Sequence, residues 1–134
     1  MTLNRTDDTA RPTGTERRRI LVVDDQPTVL EGVQMFFSAA GHEVTACGTF
    51  ADARRALQTS AYDLLLTDIR LGAFNGLQLA LIARQQDPQI RIAVFSGVDD
   101  AVLREEASRL SATYLVKPVG GHQLLELCKP ALVE

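Results

Sequence analysis

Residues 20–27 read Ile20-Leu21-Val22-Val23-Asp24-Asp25-Gln26-Pro27. A short, continuously apolar run of this kind predicts a strand covered on both faces, as in a parallel sheet. Two carboxylates end it abruptly. Pro27 then suits the first turn of a helix, where a missing N–H costs nothing. Beyond it, Val29, Leu30, Val33, Phe36, Phe37 and Ala40 recur at helical spacing, and Gly41 is a natural stop. A buried strand feeding directly into an amphipathic helix is the repeating half of an α/β fold.

The unit recurs along the chain. Glu43 to Cys47 predicts a second strand with Val44 and Ala46 on one face, and Phe50, Ala53 and Leu57 mark the helix behind it. Tyr62 to Thr67 predicts a third, buried strand that ends at Asp68. A loop over Ile69 to Asn75 leads into a helix from Gly76 through Gln86, closed by Asp87-Pro88. Ile90 to Phe95 predicts a fourth strand, ending at Ser96-Gly97. Asp99 and Asp100 follow where a helix N-terminus favours negative charge, with Leu103, Ala107 and Leu110 inward. Ala112 to Val116 predicts the fifth strand, ending at Lys117-Pro118. The last helix is expected over His122 to Leu132, with Leu124, Leu125, Cys128 and Leu132 inward. Five alternations predict an α/β domain with a parallel sheet and helices on both faces.

Composition agrees with one such domain. The chain has 134 residues, 46% of them apolar and 23% charged, which is globular and not disordered. Its net charge is −3, but residues 1–19 carry five arginines against three acids, a net +2, which leaves −5 on the remainder. Residues 1–19 are therefore read as a polar, flexible arm with Arg17-Arg18-Arg19 leading into the first strand, and 20–134 as the domain. An acidic domain argues against direct DNA binding. Cys47 and Cys128 form no C-x-x-C pair and are expected as buried free thiols. The arm has no apolar signal segment, and no apolar run nears the ~18 residues that cross a bilayer. A soluble cytoplasmic protein without membrane insertion is the expectation.

In open α/β sheets, ligands bind beyond the carboxyl ends of the strands, where strand order reverses. The residues that follow the apolar runs are Asp24-Asp25, Asp68, Ser96-Gly97 and Lys117-Pro118. Taken singly, each has an ordinary reading: an Asp there often caps a helix, and a Lys is often a solvated charge. As a set, three carboxylates, a hydroxyl and an ammonium would share one rim. Such carboxylates repel and raise one another's pKa unless a cation joins them. Mg²⁺ suits an all-oxygen set, and the lack of His and Cys at the rim weighs against zinc. Beside the metal one Asp could act as nucleophile and form an acyl phosphate. Ser96 and Lys117 would contact the phosphoryl oxygens, with Gly97 leaving them room.

That ordered set resembles the receiver domain of bacterial two-component response regulators, typified by the chemotaxis response regulator. The resemblance runs from about Ile20 to the C-terminus. It implies a doubly wound, flavodoxin-like sheet of order 2-1-3-4-5, which sets the first and third strands side by side at the switch point. It implies that Asp68 is the phospho-acceptor, that Asp25 binds Mg²⁺ directly and Asp24 through water, and that the backbone carbonyl of Arg70 adds a ligand. Ser96 matches the switch hydroxyl, Lys117 the family lysine, Tyr114 the aromatic rotamer switch, and Pro118 a position whose peptide bond is typically cis.

Three positions depart from the family pattern. Gly72 stands where a proline is usual, which predicts a more mobile loop. Arg70 and Val98 occupy positions that tune dephosphorylation. Leu110-Ser111-Ala112-Thr113 lacks the usual glycine before the fifth strand.

The implied activity is a phosphorylation switch rather than enzymatic turnover. A sensor histidine kinase or phosphotransfer protein supplies the phosphoryl group. The face of the fourth helix, fifth strand and fifth helix then changes its affinity for a downstream protein or a second copy, giving a phosphorylation-dependent homodimer. The chain is expected to be a single-domain regulator with no output domain after Leu132. The alternative reading is a phosphorylation-independent interaction module on the same fold. An aspartate-dependent phosphatase is disfavoured, because Arg70 stands where its second carboxylate would be needed.

Overall fold

A computed structural model describes residues 16–129. Five parallel strands form the sheet: β1 (Arg19–Val23), β2 (Glu43–Cys47), β3 (Leu64–Asp68), β6 (Arg91–Ser96) and β7 (Thr113–Val116). Their order is β2-β1-β3-β6-β7, which is the expected 2-1-3-4-5 once the two short strands between β3 and β6 are set aside. Those two, β4 (Arg70–Leu71) and β5 (Phe74–Asn75), form a separate antiparallel hairpin in the segment expected to be a plain loop. The helices are α1 (Pro27–Ala39), α2 (Phe50–Thr59), α3 (Gly76–Gln86), α4 (Ala101–Arg109) and α5 (Gly121–Leu127).

The central strands are apolar throughout because both faces are covered. On one face Leu21, Val23, Leu65, Ile92 and Val94 pack with Leu57 of α2, Leu79 of α3 and Ala107 of α4. On the other, Ile20, Val22, Leu64, Leu66 and Phe95 pack with Phe37 of α1 and with Leu124 and Leu127 of α5. Adjacent residues of one strand thus serve opposite cores, as the period-two pleat requires. Side chains start the helices after the strand ends. The Thr49 Oγ1 accepts from the Asp52 N–H, and the Asp100 carboxylate accepts from the Val102 and Leu103 N–H groups. Asn75 and Gln78 form a reciprocal capping box at α3.

Several boundaries and faces differ from expectation. The first strand includes Arg19, and Arg18 just before it is held: its N–H donates to His42 Nδ1 and its Nε–H to the Cys128 carbonyl, both at 3.0 Å, while residues 1–15 of the expected arm lie outside the described residues. Leu125 is exposed rather than inward. The buried stripe of α5 is Leu124, Leu127 and Cys128, an i, i+3, i+4 set that leaves Leu125 on the outer surface. Ala40, expected on the inner face of α1, is its exposed C-cap. Leu132 lies outside the described residues. Both cysteines are buried and free. Where the family glycine is missing before the last strand, Ser111 itself takes φ 57°, a left-handed conformation that costs a residue with a β-carbon about 1 kcal/mol.

Candidate functional site

Pairing places the strand ends at one rim. Val23 of β1 lies beside Thr67 of β3, Asp68 beside Phe95 of β6, and Ser96 beside Val116 of β7. Each next residue therefore projects past the sheet into the same region. Carboxylate oxygens of Asp24, Asp25 and Asp68 all lie within 4.8 Å of one another. Beside them a cleft of about 410 Å³ is lined by Asp25, Gln26, Asp68, Arg70, Ser96, Gly97, Val98 and Lys117.

The three carboxylates are held differently. Asp24 is fully buried; its Oδ1 accepts from the Gln26 N–H at 2.8 Å and its Oδ2 from Lys117 Nζ at 3.1 Å. Asp68, also buried, accepts at Oδ1 from the Arg70 N–H at 3.2 Å and at Oδ2 from Lys117 Nζ at 3.1 Å. Asp25 is exposed, and its Oδ2 accepts from the Gly72 N–H at 3.2 Å. Lys117 thus bridges two buried acids, with Gln26 Oε1 at 3.4 Å and the Phe95 ring face 4.9 Å from its nitrogen. The peptide bond that follows it, to Pro118, is cis.

Burial pushes the Asp68 carboxyl above the usual range, and the charge of Asp24 adds to this against the opposing Lys117 and Arg70 hydrogen bonds. Burial also works against the Lys117 ammonium, but its hydrogen bonds and attraction to Asp68 and Asp24 prevail and hold its pKa above the ordinary lysine value. One ammonium stands against three neighbouring carboxylates, so the cluster is short of positive charge. Its donors are all oxygens, with no His or Cys among them. That set fits a hard divalent cation such as Mg²⁺.

The hydroxyl side of the rim is built otherwise. Ser96 is buried, and its Oγ accepts from the Val98 N–H at 3.2 Å. The carbonyl of the same Val98 accepts from the Tyr114 hydroxyl at 2.8 Å. Tyr114 carries the Arg104 guanidinium 4.8 Å above its ring centre, and Arg104 also pairs with Asp99. A β-carbon at Gly97 would meet nothing within 4 Å, so the cleft is open there.

A model of the response regulator receiver domain matches residues 20–129. The chain belongs to that family. Receiver domains are the phospho-accepting signalling domains of two-component systems, and they bind Mg²⁺ at an acidic pocket. This receiver domain is 36% identical over 109 residues to the alginate biosynthesis transcriptional regulatory protein AlgB of Pseudomonas putida, covering 79% of the chain and 24% of AlgB. It is 31% identical over 96 residues to the transcriptional regulatory protein ComA of Bacillus subtilis, covering 69% of the chain and 45% of ComA. The chain therefore spans between a quarter and a half of these relatives. Among solved structures, a receiver domain protein from Methanospirillum hungatei superposes with a TM-score of 0.78 at 26% identity, over 83% of this chain and 90% of that one. The chemotaxis response regulator CheY4 of Vibrio cholerae, 22% identical, shares the fold with a TM-score of 0.74 over 83% of this chain and 95% of its own.

Within the receiver domain, Asp24, Asp25, Asp68, Arg70, Ser96 and Lys117 all meet at the rim, while Tyr114 stands one hydrogen bond away through Val98. No sequence signal places Gln26 beside Lys117, makes the Gly72 N–H a partner of Asp25, or marks the Phe50–Phe74 stack and the Arg104–Tyr114 contact. Among the described residues, no helix is long and apolar enough to cross a membrane.

Proposed function

We propose that Asp68 accepts a phosphoryl group from the phosphohistidine of a sensor histidine kinase or phosphotransfer protein. A carboxylate oxygen of Asp68 bonds to phosphorus as the phosphorus–nitrogen bond breaks, and the bonding pair stays with the imidazole nitrogen. The observation that carries this reading is the Asp24–Asp25–Asp68 cluster with Lys117 bridging two of its members. Asp25 with Asp68 and the Arg70 carbonyl would hold Mg²⁺, with Asp24 acting through water. When bound, the ion supplies charge neutralisation for the carboxylates and for the transferring oxygens. Lys117 holds Asp68 in place beforehand and supplies a fixed positive charge to the phosphoryl group.

Ser96 leaves the Val98 N–H to donate to the phosphoryl oxygens, which frees the loop on which Tyr114 is anchored. The switch residues Ser96 and Tyr114 then reshape the α4–β7–α5 face toward a downstream protein or a second copy. A cytoplasmic setting follows from the kinase that such a module serves.

Phosphoramidate, whose phosphorus–nitrogen bond resembles that of phosphohistidine, provides the test. With Mg²⁺, the wild-type chain gains a phosphate-retarded band on Phos-tag gels, and Asp68→Asn does not. Transfer undiminished in Asp68→Asn would overturn the assignment. Failure to trap beryllofluoride at millimolar Mg²⁺ would leave the phosphorylation-independent interaction module as the better reading.

A further inference from the structure

The hairpin that follows Asp68 touches two of the three acids with its own backbone. Its Arg70 N–H donates to Asp68 Oδ1, and its Gly72 N–H donates to Asp25 Oδ2. Asp68 is also fixed by burial and by Lys117, whereas Asp25 is exposed and owes its described side-chain hydrogen bond to Gly72 alone. Whatever holds the hairpin therefore holds Asp25.

Two-residue strands do not sustain a hairpin by themselves. Leu71 is buried in the core beneath it and anchors one strand. The other strand runs into the α3 cap at Asn75, and nearer the turn it is anchored by Phe74, which is 52% exposed and stacks on Phe50 at the start of α2, with ring centres 4.6 Å apart and planes 15° apart. An aromatic ring left half in solvent is poorly explained by core filling; it stands two residues beyond Gly72, where the turn takes φ +63°. The stack joins the hairpin to a helix that follows the neighbouring strand β2, so the turn is pinned from outside its own ladder.

We propose that the Phe50–Phe74 stack is a positioning element for the divalent cation: it locks the hairpin so that the Gly72 N–H presets the Asp25 carboxylate. This rests on the reading of the acidic cluster as the Mg²⁺ site. Neither ring touches the reacting atoms, and both act through Gly72. Asp25 without its preset partner would sample rotamers that point away from the cluster, and the ion's affinity would fall by the share of time lost.

The test uses the full chain and Mg²⁺ alone. Magnesium affinity is followed by nuclear magnetic resonance titration, and the exchange rate of the Gly72 amide is measured without metal. Phe74→Ala and Phe50→Ala are each expected to weaken Mg²⁺ binding roughly three- to tenfold, the range an aromatic pair can supply. The double variant is expected to be no weaker than either single one, and Phe74→Tyr to bind as the wild type does. Exchange at Gly72 should accelerate in Phe74→Ala while the amides of β1 and β3 keep their protection. That pattern separates local release from general destabilisation.

Wild-type Mg²⁺ affinity retained in Phe74→Ala overturns the positioning role alone. Faster exchange spread evenly over the whole fold overturns it as well. A wild-type chain that does not bind Mg²⁺ overturns the reading of the acidic cluster, and the positioning role with it.

Discussion

The two halves of the rim are made of different material. At the ends of β1 and β3, Asp24 and Asp68 are buried and each is held by at least two hydrogen bonds, from backbone N–H groups and from Lys117. At the ends of β6 and β7, the structure is looser: Val98 is 55% and Val102 65% exposed, and Tyr114 is held by one hydrogen bond and an exposed arginine. Concentrated charge needs a frame that cannot relax away from it, because unpaired buried carboxylates are expensive. A responsive surface needs the opposite, since contacts worth little are easily exchanged. The same sheet supplies both: β1 and β3 lie inside it, whereas β7 is an edge strand that is only partly covered.

The strongest way to break this contrast is at Lys117. Lys117→Met leaves Asp24 and Asp68 buried without their shared cation and should cost about 3 kcal/mol of stability in metal-free urea unfolding. Mg²⁺ should restore much of that loss, whereas a loss under about 1 kcal/mol would mean that the acidic half is not electrostatically strained.

A smaller effect of opposite sign is expected at Asp68. Its carboxyl pKa is raised by burial, so the folded chain holds that proton to a higher pH than the unfolded chain does. Stability therefore falls as pH rises from the unfolded value of ~3.9 through the higher folded value, and the cost is fully present only above the latter. Metal-free Asp68→Asn should melt a few degrees above the wild type at pH 7, and this advantage should vanish below the unfolded pKa. An Asn variant that melts below the wild type at neutral pH would contradict the assignment of strain.

The β6–β7 half should respond least in stability and most in motion. Arg104→Ala removes an exposed cation from the Tyr114 ring and an exposed partner from Asp99. The melting temperature should barely move, while ring resonances of Tyr114 shift and average between rotamers. A large fall in melting temperature would show that this side is as tightly built as the other.

What the sequence revealed of this rim follows the same division. Asp24, Asp25, Asp68, Ser96 and Lys117 were legible because each ends an apolar run, and parallel pairing brings run ends together whatever the loops do. The boundaries of β2 and α3 were legible for a similar reason, with Gly41 and Asp87-Pro88 acting as local stops. The hairpin was not. Strands of two residues have no periodicity to read, and the Phe50–Phe74 stack joins side chains 24 positions apart with nothing local to announce it. Leu125 was misread because a leucine-rich helix offers two adjacent stripes, and only packing against β1, β3 and β6 selects the one holding Leu124 and Leu127. The different footing of Asp24 and Asp25 was equally hidden, since adjacency in the chain says nothing about which of the two is buried.

Gly76 gives the acidic half one more property. A β-carbon there would lie 2.0 Å from the backbone carbonyl oxygen of Asp68, and the Gly76 N–H already donates to the Ile69 carbonyl at 2.6 Å. Helix α3 therefore begins with its main chain pressed against the main chain of the proposed acceptor. Mutational tolerance at this position is set by architecture and not by chemistry. Among the twenty amino acids only one fits, so Gly76 and Asp68 would look equally irreplaceable in a survey of variants, although only Asp68 would meet the phosphoryl group.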